Sequence, residues 1–180
     1  MSHAVAPASF AAVSVEQHRS RGTRSVACAI LTVSDTRTPE TDTSGAMARD
    51  LLVQAGHRIV AQAILPDEPE RVRAHVEGWL ADPAVEAVLV NGGTGLAPRD
   101  TTYEAIAALL EKQLDGFGEL FRMLSYEQIG AAAMLSRAVA GVARGTVVAS
   151  MPGSTAAVEL AMVKLVVPEL GHMVKLARGS

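Results

Sequence analysis

The chain has 180 residues, of which 49% are hydrophobic and 19% are charged, and its formal net charge at neutral pH is −3. This length predicts about one domain with a substantial buried core, and the composition excludes an extensively disordered protein. The balance of charge offers no basic footprint, so no nucleic-acid partner is expected. No apolar stretch reaches the roughly 18 residues of a membrane span, so no membrane partner is expected either.

The N-terminal segment, residues 1–22, is expected to be a flexible tail in front of a single domain that covers residues 23–180. The segment lacks a basic n-region and contains Pro7, which argues against a signal peptide. The single cysteine, Cys28, stands in the apolar run VACAIL and is interpreted as a buried structural thiol rather than a nucleophile. Because one cysteine cannot form an internal disulfide, a cytoplasmic location is expected.

Strands and helices are predicted to alternate along the chain. Short apolar runs typical of strands buried on both faces occupy residues 26–33, 59–65, 85–90 and 146–151. Helical spacing of apolar residues occupies residues 44–55, 70–80 and 102–114. Residues 116–140 are expected to add short helices. The alternation predicts an α/β fold with a three-layer, mainly parallel sheet that carries helices on both faces.

The segments that follow the four strands contain most of the candidate functional residues, since open α/β sheets bind ligands at the carboxyl ends of their strands. These segments read SDTRTPETDTSG, PDEPE, NGGTGLAPRD and PGST. All are rich in glycine, hydroxyl or carboxylate groups. Together they predict one crevice lined by backbone donors, hydroxyls and carboxylates.

The third segment places Gly92, Gly93 and Gly95 within four residues, directly after a predicted strand. Glycine tolerates positive φ and lets backbone N–H groups approach a ligand, so this loop is a candidate anion-binding site. A simple tight turn between a strand and a helix is the alternative. The run matches neither the dinucleotide-binding fingerprint nor the P-loop, which argues against an unrelated nucleotide-binding oxidoreductase.

Local patterns leave the roles of several aspartates open. Asp67 is a candidate N-cap, with Pro69 near the first helical position and Glu70 completing a capping box. Asp35 and Asp42 are candidates either for turn formation or for catalysis.

A second capping box is predicted at the next helix, with Thr101 as the cap and Glu104 at its third position. Asp100 is then less needed for structure and becomes a candidate functional carboxylate. Arg37 and Arg99 would suit phosphate or carboxylate recognition if they face the crevice, and are otherwise surface charges.

The last of the four segments places Pro152, Gly153 and Ser154 before a helix. Because a helix N-terminus presents unpaired N–H donors, the backbone of this turn and the Ser154 hydroxyl are candidates for anion binding. We expect them to line the same pocket as residues 92–95.

Taken in order, these segments resemble the MoaB and MogA family of molybdenum cofactor biosynthesis. The resemblance covers about residues 26–176 and is carried by LTVSDTR (31–37), DTSG (42–45), LPDE (65–68), GGTGLAPRD (92–100), GFGELFRMLSYEQIGAAAMLSRA (116–138) and MPGS (151–154). The long segment at residues 116–138 is closer to the MoaB branch. Where the family often has a proline after the threonine of R-D-V-T-P, this chain has Tyr103.

The resemblance implies a molybdopterin-binding fold and an adenylylation reaction. In that reaction the terminal phosphate of molybdopterin attacks the α-phosphate of Mg-ATP, which gives molybdopterin-AMP and pyrophosphate. Asp67 and Asp100 correspond to the aspartates considered essential, and they are the implied catalytic residues and Mg²⁺ ligands. The implied substrate-binding residues are Ser34, Asp35, Gly92, Gly93, Thr94, Gly95, Glu104, Pro152, Gly153 and Ser154.

The resemblance also implies assembly into homotrimers or homohexamers, with other proteins of molybdenum cofactor biosynthesis as candidate partners. The segment GFGELFRML, residues 116–124, is more apolar than one small helix needs, so we expect it near a subunit contact. Its Phe117, Phe121 and Met123 are interpreted as packing or interface residues. The alternative to the enzyme is a protein that binds molybdopterin or a precursor without turning over ATP.

Overall fold

The computed structural model describes residues 25–179, and the tail predicted for residues 1–22 lies outside them. Its strands are β1 (Ala27–Val33), β2 (Arg58–Leu65), β3 (Ala87–Asn91), β4 (Lys112–Gln113), β5 (Val139–Ala143) and β6 (Thr146–Met151). They form one sheet in the order β2-β1-β3-β6-β5-β4. The first four strands in that order are parallel, whereas β5 runs antiparallel to both β6 and β4. The prediction of a mainly parallel α/β sheet is confirmed.

The helices connect these strands and cover the sheet. They are α1 (Thr43–Gln54), α2 (Pro69–Ala81), α3 (Thr102–Ala107), α4 (Asp115–Ile129), α5 (Thr155–Ala161) and α6 (Val167–Ala177), with a 3-10 helix at Gly130–Leu135. A π-helical turn, Met162–Val166, joins α5 to α6, and the Val167 N–H bonds to the Met162 carbonyl. Pro168 follows this turn and has no N–H to donate, which is a common cause of local departure from α-helical bonding.

Alternate residues of each central strand enter two separate cores, as the period of two in a strand requires. On one face, Cys28 and Ile30 pack in a cluster with residues of α1, α4, α5 and α6, among them the buried Phe121. On the other face, Leu31 packs in a cluster with residues of α2 and α3, among them Val72. Helices therefore cover both faces, as the sequence predicts.

The predicted helix over residues 102–114 is wrong in its second half. Helix α3 ends at Ala107, and the chain then enters the short edge strand β4. The backbone N–H of Glu111 bonds to the Val142 carbonyl, and that of Leu114 bonds to the Ala140 carbonyl. Pairing with β5 thus replaces the helical hydrogen bonds that the spacing of leucines would otherwise favour.

The short helices expected over residues 116–140 are also a partial error. This region contains the 15-residue helix α4, the 3-10 helix, and the beginning of β5. Strand β5 was missed because its sequence, VAGVA, is short and made mostly of small residues that lack a strong strand preference. Within residues 25–179, no helix is long and apolar enough to cross a membrane.

Candidate functional site

A cavity of about 400 Å³ lies where the carboxyl ends of β1, β3 and β6 meet. Its walls include nearly all of the sequence-predicted site residues that follow these strands, namely Ser34, Gly92, Gly93, Thr94, Gly95, Asp100, Pro152, Gly153 and Ser154. Val33, Arg37, Leu135 and Ser136 complete the lining. The glycine loop, residues 92–95, and the turn at residues 152–154 therefore face one space.

Close backbone approach at this cavity depends on glycine. Gly92 has a φ of +102°, and a side chain there would overlap the carbonyl oxygen of Val33. A Cβ atom on Gly153 would stand 2.9 Å from the Cα atom of Gly92. A larger residue at Gly92 would displace the end of β1, and a larger residue at Gly153 would push the turn at residues 152–154 away from the glycine loop.

The glycine loop carries backbone donors that the rest of the described chain does not use. The N–H of Gly92 bonds to the Met151 carbonyl at 3.1 Å and so belongs to the sheet. The N–H groups of Gly93, Thr94, Gly95 and Leu96 donate to no acceptor within residues 25–179. Several N–H groups left unused in one loop form an anion-binding concavity.

In the turn after β6, Ser154 has a capping role in addition to its place on the cavity wall. The Ser154 hydroxyl oxygen is the N-cap of α5 and accepts a hydrogen bond from the Ala157 N–H at 3.3 Å. A hydroxyl that accepts in this way still has its own hydrogen to donate. Ser154 can therefore cap α5 and still donate its hydroxyl hydrogen to an anion in the cavity.

Three carboxylates, which we call the acidic edge, come together beside the glycine loop: Asp35, Asp67 and Asp100. The Asp35 carboxylate accepts the Asp67 N–H at 3.3 Å and pairs with Arg99 at 2.5 Å. Asp67 accepts the hydroxyl of Thr102 at 3.1 Å. Asp100 accepts the Ala97 N–H at 3.0 Å, which closes the end of the loop.

The environment of Asp67 opposes its negative charge. Partial burial raises the pKa of the Asp67 carboxyl, and the neighbouring carboxylates of Asp100 and Asp35 raise it further, while the hydrogen bond from Thr102 acts in the opposite direction. A cation or a proton placed near this carboxylate would relieve that repulsion.

The capping roles predicted for this region are wrong. The N-cap of α2 is Glu68 rather than Asp67, and no side chain bonds to the first turn. Thr101 occupies the N-cap position of α3, but its side chain makes no capping bond there and instead lies 3.5 Å from Asp67. Pro69 does stand at the start of α2, as expected. Asp67 therefore does not cap α2, and its carboxylate instead accepts hydrogen bonds at the beginning of α3.

Three predicted site residues do not line the cavity. Asp67 lies against the far side of Gly93, where its carboxylate fills the space that a side chain of Gly93 would take. Asp35 lines a neighbouring cavity of about 730 Å³, which shares Ser34 and Arg37 with the first. Glu104 is mostly exposed and pairs with Arg137.

Sequence reasoning missed that Arg37 and Asp42 belong to one hydrogen-bonded group with Thr32, Ser44 and Asn91, which we call the buried network. Its members are buried except for Arg37, which is partly exposed and lines the cavity. Asp42 is the N-cap of α1, is 4% exposed, and accepts from the Thr32 hydroxyl at 2.6 Å and the Gly45 N–H at 2.9 Å. The guanidinium of Arg37 lies 3.1 Å from Asp42.

The buried network connects the three loops around the cavity. Arg37 donates to the carbonyl of Gly153 at 2.9 Å, and Ser44 donates to the side-chain oxygen of Asn91 at 2.8 Å. Arg37, left as either a recognition residue or a surface charge by the sequence, thus reaches the cavity while it is held by Asp42. The capping pattern of Asp42 is visible in the sequence, but its partner at residue 153 is not.

Within residues 25–179, no group of three or more His, Cys, Asp or Glu side chains is arranged to hold a metal ion. Magnesium commonly keeps several waters and takes one or two carboxylates beside the phosphates of a substrate. The carboxylates of the acidic edge are oxygen ligands of the kind that such an ion takes.

Fold and site together define an α/β protein with a glycine-lined cavity at the carboxyl ends of its parallel strands, and comparison with known proteins identifies its family. The family described as "Probable molybdopterin binding domain" matches residues 29–172. The chain belongs to this family.

Its relatives narrow the family to one branch. The chain is 52% identical over 164 residues to molybdenum cofactor biosynthesis protein B of Bacillus subtilis strain 168, covering 91% of this chain and 96% of that protein. Identity to the protein of the same name from Halalkalibacterium halodurans is 51% over 164 residues, with coverage of 91% and 96%. A crystal structure of molybdenum cofactor biosynthesis protein B superimposes with a TM-score of 0.85 at 49% identity, covering 88% of this chain and 99% of that one.

Proposed function

We propose that this protein acts in molybdenum cofactor biosynthesis, where it binds molybdopterin and adenylylates it with Mg-ATP to give molybdopterin-AMP and pyrophosphate. The observation that carries the proposal is a single cavity in which unused backbone N–H groups of the glycine loop meet the carboxylate of Asp100. The family description supports molybdopterin as the ligand, and the names of the relatives, which are molybdenum cofactor biosynthesis proteins, support the pathway.

The glycine loop and the turn at residues 152–154 supply the phosphate contacts in this proposal. Backbone donors bind phosphate oxygens without adding a mobile side chain, so the phosphate is held in one orientation. Ser34 and Thr94 add hydroxyl groups to the wall of the same cavity. Asp35, in the adjoining cavity, is available to the part of the substrate that extends beyond the phosphates.

The reaction needs alignment and charge neutralisation more than it needs a covalent protein intermediate. A terminal phosphate oxygen of molybdopterin forms a bond to the α-phosphorus of ATP. The bond from that phosphorus to the bridging oxygen of the β-phosphate breaks, and pyrophosphate leaves with the electron pair. Asp67 and Asp100 would hold the magnesium that enters with ATP, and that ion supplies charge neutralisation at the phosphates.

The alternative function is binding of molybdopterin or a precursor without ATP turnover. One observation favours it: the carboxylates of Asp67 and Asp100 both accept hydrogen bonds from their own surroundings, which gives each a structural use. A protein that only binds would need the glycine loop and would not need the charges at the acidic edge.

Incubation of the purified chain with molybdopterin and Mg-ATP separates the two functions. Molybdopterin binding is followed by titration, and the products are followed by mass spectrometry and a pyrophosphate assay. The enzyme is expected to bind molybdopterin and to form molybdopterin-AMP. Saturable molybdopterin binding with no adenylate would contradict the enzymatic proposal and support the alternative.

We also propose that the protein assembles as a homotrimer or homohexamer through helix α4. Phe117 and Phe121 are buried in the core of the chain itself, so they are packing residues. The outer face of α4 instead exposes a stripe of apolar residues at intervals of three, namely Leu120, Met123, Tyr126 and Ile129. Such a contiguous stripe is typical of an interface. Sedimentation is expected to give a trimer or hexamer, and a monomer at micromolar concentration would contradict this.

The remaining proposals concern the cellular location of the protein and its partner proteins. The single cysteine, Cys28, is buried, and the cytoplasmic location expected from it stays a prediction. Other proteins of the same pathway stay candidate partners, because the product molybdopterin-AMP must be passed to a reaction that consumes it.

A further inference from the structure

Arg137 bonds to the glycine loop without lining the cavity. It stands between the 3-10 helix and β5. Its Nε atom donates to the Thr94 carbonyl at 2.9 Å, and its Nη2 atom donates to the Gly95 carbonyl at 2.6 Å and to the Asp100 carbonyl at 3.3 Å. Arg137 is more than thirty residues away along the chain. Its side chain thus holds both the glycine loop and Asp100, which follows that loop.

These bonds determine which way the peptide groups of the loop face. The carbonyl of Thr94 and the N–H of Gly95 belong to one peptide plane, and in a trans peptide they point in opposite directions. No peptide bond in the described chain is cis. The bonds to Arg137 therefore turn the N–H groups of Gly95 and Leu96 away from the guanidinium. Both N–H groups are among the donors with no acceptor in the described chain, and Gly95 lines the cavity.

Arginine is the side chain that can do this. Its planar guanidinium presents five N–H donors in a fixed geometry and stays charged at any physiological pH. Lysine has the same charge, but its donors are all on a single nitrogen, so it cannot bridge separate carbonyls in the same way. Residue 137 therefore needs the planar shape of a guanidinium as well as its positive charge.

Two residues of α3 hold the guanidinium from its outer side. The carboxylate of Glu104 pairs with Nη1, and this hydrogen bond from Arg137 lowers the pKa of Glu104. The guanidinium carbon lies 4.8 Å from the centre of the Tyr103 ring, within the range of a cation–π contact. Tyr103 is the residue that departs from the proline frequent in the family, and a proline ring offers no such contact.

We propose that Arg137 is a positioning residue. It keeps the glycine loop in its phosphate-receiving conformation and fixes the backbone of Asp100. Glu104 and Tyr103 are positioning residues for Arg137. The inference deepens the proposed function and rests on it for the identity of the phosphate ligand.

The test compares Arg137→Lys with Arg73→Lys in the full chain. Arg73 forms a surface ion pair with Glu77 on α2, so it controls for the loss of a paired guanidinium. The probes are inorganic pyrophosphate and Mg-ATP, titrated by calorimetry, together with amide hydrogen exchange at residues 93–97. For Arg137→Lys we expect about tenfold weaker binding of both probes and faster exchange of these amides. Arg73→Lys should match the wild type in both measurements.

The Tyr103 contact is tested by a conservative pair. Tyr103→Phe keeps the aromatic ring and should bind the probes like the wild type, whereas Tyr103→Ala should weaken binding by about threefold. Equal affinities for the phenylalanine and alanine variants would remove Tyr103 from the proposal.

The outcomes separate this inference from the proposed reaction. If Arg137→Lys retains the affinity of the wild type and its pattern of exchange, the positioning role is wrong, whatever the adenylylation assay shows. If exchange accelerates throughout the protein rather than at residues 93–97, the role is structural and the inference is again wrong. If the wild type forms no adenylate, the proposed reaction fails, while exchange at the loop, which requires no ligand, still decides the role of Arg137.

Discussion

The buried network and the acidic edge both contain carboxylates near the same cavity, but they differ in how the negative charge is balanced. Asp42 is almost fully buried and has a cationic partner in Arg37, along with a hydroxyl and a backbone donor. Among the described residues, Asp67 and Asp100 form no ion pair. Asp67 also has carboxylate neighbours that raise its pKa.

The difference indicates which carboxylates stabilise the folded chain and which are available to interact with a ligand. A buried carboxylate is stable only when its partners replace the lost water, and Asp42 has such partners. The acidic edge is accessible enough to keep water and does not have cationic partners for all of its carboxylates. We therefore expect substitutions in the buried network to change stability and substitutions at the acidic edge to change chemistry.

The largest effect is expected for Asp67→Asn and Asp100→Asn. Each substitution keeps an oxygen that can accept the existing hydrogen bond but removes the charge that would hold magnesium with ATP. Adenylylation should slow by about 10³-fold, which corresponds to roughly 4 kcal/mol of transition-state stabilisation, while molybdopterin affinity is kept. Steady-state rates and a binding titration measure both quantities. Asp50→Asn, on the exposed side of α1, is the matched control.

Loss of molybdopterin binding in parallel with the rate would break the comparison, because the acidic edge would then support the shape of the pocket. Near-normal adenylylation in both variants would show that the two carboxylates have no catalytic role.

A smaller effect, on stability, is expected for Asp42→Ala. The substitution removes the N-cap of α1 and leaves the charge of Arg37 without its buried partner. The free energy of unfolding should fall by about 3 kcal/mol, as urea denaturation can measure. Asp50→Ala, at an exposed position, should change it by no more than about 0.5 kcal/mol. Equal losses in the two variants would mean that the buried network contributes little.

The pH dependence of stability should distinguish Asp67 from an ordinary surface carboxylate. Because its folded pKa is raised, Asp67 binds a proton more tightly in the folded state, so its contribution to stability falls as pH rises through the window above its ordinary pKa. Asp67→Asn removes this penalty. The thermal midpoint of the variant relative to the wild type should therefore increase from about pH 3 to about pH 7. A difference that shrinks with rising pH would contradict the environment assigned to Asp67.

The smallest effect is expected in the core, far from the acidic edge, at Cys28. Burial raises the pKa of this thiol to about 12, and its side chain is inaccessible. A thiol reagent at mildly alkaline pH should leave the native protein unlabelled and should label one equivalent after denaturation in urea. Rapid labelling of the native protein would show that the core cluster around Cys28 and Phe121 opens.

The sequence was sufficient to predict the elements that have strong local signals. All four strands predicted from apolar runs are present, and the observed ends differ by no more than a few residues. Strands β4 and β5 could not be predicted, because Lys112–Gln113 is a two-residue exposed edge and Val139–Ala143 lacks large apolar residues. Pairing between distant segments, rather than local preference, forms these strands.

The candidate site likewise has contacts that the sequence could predict and contacts that it could not. Loops that follow buried strands of a parallel sheet meet at one edge, so the approach of residues 92–95 to residues 152–154 follows from topology. The contact from Arg37 to Gly153 and the contacts from Arg137 to Thr94 join segments 116 and 43 residues apart. No local pattern carries such information, and both arginines acquire a role only in the folded chain.

The most direct test of the central claim is a magnesium titration of adenylylation, with molybdopterin-AMP and pyrophosphate quantified in the same sample for the wild type and Asp100→Asn. The account predicts that the wild type forms the two products in equal amounts, that both disappear without magnesium, and that Asp100→Asn forms little of either at any magnesium concentration. Tight molybdopterin binding by the wild type, with neither product formed at saturating magnesium and ATP, would contradict it.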